Sequence, residues 1–159
     1  MTRITNYQLI RKPEQPVLSI RKKVSVEELP SAISRNILKI SGYLNEIKES
    51  MVDIPSVVFH DYKYMDEDNI DLEIICPVMK KLPEKDEIKY TLLPEGDAIF
   101  SFYSGIPDNL SSFYEEMENW INKQGYNVCG DAYECYYNDE QYGLDNLLTK
   151  ITLPVSTKS

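Results

Sequence analysis

Residues 71 to 78 read DLEIICPV, and residues 148 to 155 read LTKITLPV. Both are alternating patterns that finish in Pro-Val, and each closes one half of a 159-residue chain. Alternation sends successive side chains to opposite faces, as a strand half-buried in a sheet requires. Upstream of the first, IPSVVFHDY (54–62) supplies another strand, and the polar KYMDEDN (63–69) between them reads as a hairpin loop. Earlier still, Ile33, Ile37, Ile40, Leu44 and Ile47 recur at spacings of four, three, four and three, the stripe of one helical face. SVEE (25–28) reads as a capping box, with Ser25 accepting from the helix start and Glu28 reaching back. Pro30 is expected to break or kink that first turn. QPVLSIRKKVS (15–25), opened by Pro16, is the strand that precedes it. The first half is therefore strand, helix, strand, strand.

The second half repeats that order. DAIFSFYSG (97–105) is a strand, and Gly105 with Pro107 announces a helix. Leu110, Phe113, Met117 and Ile121 step by three, four and four with Trp120 beside them, until Gly125 offers a C-cap. A strand around Glu134 and the final LTKITLPV strand follow. The reading is an α+β chain duplicated as repeat one (about 16–78) and repeat two (about 88–155). KKLPEKDE (80–87) is the charged connection, and Ile88 to Leu93 leads into the second repeat.

Composition narrows the function classes. A net charge of −9 opposes duplex DNA, whose affinity is built from Lys and Arg neutralising phosphates. Arg21, Lys22 and Lys23 form a short basic cluster, read as a solvated strand end. No apolar run approaches a membrane span and the N-terminus lacks a secretory h-region, so a soluble, cytosolic protein is expected. Cys76, Cys129 and Cys135 form no CxxC and are an odd number, so they read as reduced and mostly structural. One His and three scattered Cys give no metal-ligand spacing. His60 stands beside Asp61, but neighbours on a strand point apart, so a lone structural His is expected. The DEDN run (66–69) lacks the glycine and distant glutamate of a calcium loop, and neither a phosphate-cradling glycine loop nor a GxSxG elbow occurs. No cofactor is implied.

One stretch carries chemistry. DAYECYYND (131–139) sets Glu134 among Tyr133, Tyr136 and Tyr137. Alternation places Ala132, Glu134 and Tyr136 on one face and Tyr133, Cys135 and Tyr137 on the other. Taken alone, the plain reading is a solvent-facing strand carboxylate. Were that face buried, an ionised Glu134 among rings would cost several kcal/mol unless paired, and a lipophilic cation would supply the partner, with cation–π attraction of about 0.5–2 kcal/mol per ring.

The order VEELPSAI, VVFHDY, IDLEIICPV, FYSG, FYEEMENWINKQGY, AYECYY and ITLPV resembles the GyrI-like small-molecule-binding family, also known as the bacterial transcription activator effector-binding domain, over nearly the whole chain. The resemblance implies two pseudo-symmetric strand-helix-strand-strand (SHS2-type) repeats whose sheets join around a central ligand cleft. It also implies a glutamate at the cleft floor in the YExY position, here Tyr133 to Tyr136, and so assigns Glu134. Relatives fused to DNA-binding regions sense drugs; no helix-turn-helix region is read here, so a stand-alone member is expected. Tyr136, Tyr103 and Trp120 are candidate cleft residues beside Glu134, with Tyr90 and Tyr62 as possible walls. For Tyr103 and Trp120 ordinary core packing is the alternative. Three uses follow. The leading one is binding of hydrophobic, aromatic and cationic small molecules. The second is hydrolysis of strained, alkylating compounds with Glu134 directing water, as solitary relatives suggest. The third is a gyrase-inhibitor-like protein contact, for which no interaction motif can be read.

Overall fold

The computed structural model describes residues 1–106, 110–138, 143 and 146–158. Its contacts divide the chain into two compact units, one of residues 13–95 and the other of residues 1–12 with residue 96 onward.

In the unit of residues 13–95, strand β3 (Gln15–Val24) runs into helix α1 (Leu29–Glu46), followed by β4 (Ser56–Phe59), β5 (Ile70–Pro77) and β6 (Lys89–Leu93). All pairings are antiparallel, in the order β4-β5-β3-β6. The capping box expected from SVEE does not form at the helix start: the N-cap is Glu28, which makes no side-chain cap hydrogen bond, and Ser25 lies one turn earlier, where its Oγ accepts the Glu28 N–H over 3.4 Å and its hydroxyl, rather than its backbone N–H, donates to Glu28 Oε1 over 2.9 Å. Pro30 does not kink the helix. It lies in the first turn, where a missing N–H costs nothing. The stripe meets the sheet: Ile40 and Leu44 are buried against Leu18, Ile20, Val57, Leu72 and Ile74, with Ile33, Ile37 and Ile47 packed at the margin. Strands with β-branched residues on the face toward a helix stripe give a continuous apolar layer, worth about 25 cal/mol per Å² removed from water.

The other unit holds β1 (Thr2–Arg3), β2 (Gln8–Lys12), β7 (Gly96–Ser104), helix α2 (Leu110–Lys123), β8 (Tyr126–Val128), β9 (Ala132–Tyr136) and β10 (Leu148–Thr157). Here β7 pairs with β1, β2 and β10, and β10 pairs also with β9 and β8, all antiparallel. Gly105 and Gly125 have φ of +92° and +91°, the left-handed region that a side chain resists; Gly125 stops α2 as expected. The expectation placed on Pro107 lies outside the described residues.

Two features differ from the sequence reading. Lys89–Leu93, expected to lead into the second repeat, pairs with β3 instead, Leu92 opposite Pro16 and Tyr90 opposite Leu18. The N-terminal Gln8–Lys12, to which no element was assigned, pairs with β7. Each unit thus covers the outer edge of its first strand with an extra strand whose own side chains are mostly exposed. Their sequences, QLIRK and KYTLL, are too short and too polar to carry a periodic signal.

The two units share one topology. In each, the fourth element of the strand-helix-strand-strand order lies between the first and the third. Their registers correspond as well: Pro77 is opposite Val17, and Pro154 opposite Ala98. Three residues before each proline stand Ile74 and Ile151, and here the units part chemically. Ile74 is flanked by Ile20 and Val57, whereas Ile151 is flanked by Ser101 and Glu134. All six are buried.

Cys76 lies in the core, where burial pushes its thiol up to about 12, while Cys129 is exposed and Cys135 half-buried; none of the three is in a disulfide among the described residues. Among the described residues, no helix is long and apolar enough to cross a membrane.

Candidate functional site

Strand β9 alternates as expected, and Glu134 shares a face with Ala132 and Tyr136. That face looks toward α2, since the Tyr114 hydroxyl, from the first turns of the helix, donates to Glu134 Oε2. The Tyr136 hydroxyl donates to Oε1 over 2.8 Å. Glu134 is 5% exposed, which excludes the plain reading of a solvent-facing carboxylate. Burial raises its pKa above the usual carboxylate range, and the two phenols pull it partly back. Tyr136 is raised well above the ordinary phenol value by burial and by the Glu134 charge. Although 38% of Tyr136 is exposed, its hydroxyl is turned onto the carboxylate. No cationic group among the described residues contributes to the Glu134 ionisation.

Tyr114 escaped the sequence reading. The stripe was drawn through Phe113, which is three residues from Leu110; Tyr114 is four away and lies equally on that face. It is Tyr114, with Met117 and Ile121, that is buried. Its spacings of three to Met117 and seven to Ile121 fit the helical stripe as well as the four and eight of Phe113.

Tyr103 and Trp120 lie in the same unit as Glu134. Tyr103 is 1% exposed, edge-on to Phe113 with ring centroids 5.5 Å apart, and desolvation together with a hydrogen bond to Tyr7 raises its phenol. Thr149 pairs with both Tyr136 and Tyr103, so this tyrosine lies in the row next to Glu134. Trp120 packs on Tyr7 at 5.1 Å, and the Tyr7 hydroxyl donates to Glu116 over 3.1 Å with Arg3 over its ring at 4.3 Å. Tyr7, buried in a segment given no element, links the two. Tyr62 and Tyr90 belong to the other unit, half-buried against its core.

His60 does not pair with Asp61. Its Nε2 lies 2.8 Å from Glu73 Oε1 on the neighbouring strand, while Asp61 Oδ2 accepts the Asp71 N–H at 3.3 Å. Among the described residues no group of three or more His, Cys, Asp or Glu is placed to hold a metal ion.

A buried carboxyl under two phenolic donors, with a raised pKa and no cationic partner among the described residues, can do two things: accept an external positive charge, or exchange a proton. None of the curated proteins compared with the chain by sequence matches it. Solved structures do match in fold. In its DNA complex, EcmrR superposes with a TM-score of 0.80 at 22% identity over 97% of this chain, which spans 58% of the EcmrR chain. The EcmrR C-terminal domain alone gives 0.76 at 21% identity, covering 96% of this chain and 98% of that domain. A hydrolase from Listeria innocua gives 0.70 at 14% identity, covering 95% and 92% of the two chains. SAV2435 bound to tetraphenylphosphonium gives 0.59 at 13% identity, covering 96% and 94%. At these identities the likeness is one of fold. The family model of the GyrI-like small molecule binding domain matches residues 5–156, and the chain belongs to that family.

Proposed function

We propose that this protein binds lipophilic, aromatic cations, with Glu134 as their counter-charge and Tyr136 and Tyr114 as ring partners. The observation that carries this reading is the register difference between the units. Where one unit has Val57 beside Ile74, the other has Glu134 beside Ile151. The fold evidently accepts a buried aliphatic side chain there. A carboxylate in its place is a burden on stability, several kcal/mol when ionised and unpaired, and a cation removes that burden. Tyrosine faces add about 0.5–2 kcal/mol each, and flat apolar area adds the rest. Tetraphenylphosphonium, held by SAV2435, has the chemistry expected of such a ligand. Three cysteines outside any disulfide fit a reducing, cytosolic setting, and the charge of −9 fits a protein that does not itself hold duplex DNA.

The test uses two probes of one shape and opposite charge, tetraphenylphosphonium and tetraphenylborate, titrated calorimetrically against wild type and Glu134→Gln. The cation should bind wild type more tightly and lose tens-fold or more in the variant, on the order of 2 kcal/mol, while the anion loses nothing. Equal affinity of the cation for both proteins would remove Glu134 from the site.

The same geometry supports a second use. A carboxyl with a raised pKa and two phenols within hydrogen-bond reach has the parts of a general base and acid, and a Listeria innocua hydrolase shares the fold. On that reading, Glu134→Gln abolishes turnover of a strained electrophile, followed by mass spectrometry, and leaves binding of neutral aromatics intact.

A further inference from the structure

The sheet of the Glu134 unit has a second face, opposite α2. Alternation puts Phe100 and Phe102 there, because Ile99, Ser101 and Tyr103 take the helix side. The two rings stand edge-on with centroids 6.1 Å apart, and Tyr137 lies 5.6 Å from Phe102. Lys150, opposite Phe102 on β10, reaches over them with its Nζ 4.5 Å from the Phe100 centroid and 5.9 Å from that of Phe102. Lys12 Nζ lies 5.2 Å from the Tyr133 ring. Phe100, Phe102, Tyr133 and Lys150 are half-buried and Tyr137 is exposed, so the rings form a partly open platform.

Charge is distributed on this face in an unusual way for a chain of net charge −9. Register places no Asp or Glu on this side of β7, β9 or β10; Asp97 and Glu134 both fall on the helix side. Lys150 has only its ring contacts and no ion pair among the described residues. An ammonium held over aromatic rings, with no ion pair among the described residues, keeps its charge for an anion that reaches the same rings.

We propose that this face is a second ligand site, for a small planar aromatic anion such as a ring carboxylate or sulfonate. The ring stacks on the Phe102 and Tyr137 platform, and the anionic group pairs with Lys150. Its charge preference is opposite to that of the Glu134 site, and it rests on separate residues, so each proposal stands or falls alone.

The probes are 1-anilinonaphthalene-8-sulfonate and its uncharged parent, N-phenyl-1-naphthylamine, followed by fluorescence. Lys150→Gln should weaken the sulfonate about tenfold and leave the parent within about twofold; Lys150→Arg should retain both. Phe102→Leu should weaken both dyes. Glu134→Gln should leave the sulfonate unchanged, and tetraphenylphosphonium should not displace it. Circular dichroism checks that each variant is folded; if Lys150→Gln is not, the Lys150→Arg and Phe102→Leu arms and the displacement assay decide. Unchanged sulfonate affinity in Lys150→Gln, equal loss of both dyes in it, or displacement by tetraphenylphosphonium overturns the proposal. A dimer in sedimentation velocity that Lys150→Gln dissociates would give the face to a second copy of the chain, and also overturns it.

Discussion

Tyr136 and Glu134 stand two residues apart on one strand, and the Tyr136 hydroxyl donates to the Glu134 carboxylate over 2.8 Å. A period-two backbone makes that contact local. Tyr114, donating to the other carboxylate oxygen, comes from a helix twenty residues earlier and makes it tertiary. Glu134 is therefore fixed from its own strand and from the layer above, and its charge state reports on both.

Stability should record that charge state. The Glu134 pKa is raised in the fold, chiefly by burial, so its favourable contribution is complete below the unfolded value of about 4.3 and is lost as pH rises through the folded value. Glu134→Gln has no such loss. Urea denaturation across pH 4 to 8 should show the variant gaining on wild type as pH rises, by at most about 1.4 kcal/mol per pH unit. A gap that does not change with pH would mean that Glu134 titrates normally.

Much of this fold was legible because its two helices face their sheets with clean stripes, and because Pro77 and Pro154 end matching strands. Glu134 and Tyr136 share a face by alternation alone. What the sequence withheld was mostly non-local. Gln8–Lys12 and Lys89–Leu93 become strands by pairing with β7 and β3, and their own residues neither alternate nor bury. Tyr114 and Phe113 both satisfy the helical spacing from Leu110, and only the packing of α2 decides which of them reaches the carboxylate. Likewise, the contrast of Val57 with Glu134 emerges from pairing register, which no spacing within one strand contains.

Thiol chemistry should separate the three cysteines. The Cys76 thiol, pushed up to about 12 by burial, has almost no thiolate at pH 8, whereas Cys129 is exposed. With a disulfide exchange reagent at that pH, Cys129 should react first and Cys76 only on unfolding, read by peptide mass mapping. Early labelling of Cys76 in the native protein would show that the core around it opens.

Glu87 ties the sheet to the helix in the unit of residues 13–95, accepting from Lys22 on β3 and Lys39 on α1. Both lysines hold its carboxyl below the usual range, so its contribution is present above the unfolded value and lost as pH falls through the folded one. The groups are about a third exposed or more, so Glu87→Gln should cost under about 1 kcal/mol at pH 7. Near 1 M salt the cost should shrink, because the screening length there is about 3 Å. A loss that salt does not touch would make Glu87 a packing residue.

Cation binding and proton binding compete for Glu134, and this fixes how affinity depends on pH. A carboxyl whose pKa is raised by burial is partly protonated at pH values where a surface glutamate is fully ionised. A lipophilic cation pairs with the ionised form, so its binding expels the proton. Tetraphenylphosphonium affinity should therefore rise with pH, up to tenfold per unit below the folded pKa, and level off above it. Titration calorimetry in two buffers of different ionisation enthalpy should find up to one proton released per cation bound. Tyr114→Phe removes a donor that favours the ionised form, so it should move the levelling-off to higher pH, while Glu134→Gln should bind weakly at every pH with no proton released. Affinity that falls as pH rises, or a pH dependence that survives in Glu134→Gln, would place the positive charge of the ligand elsewhere.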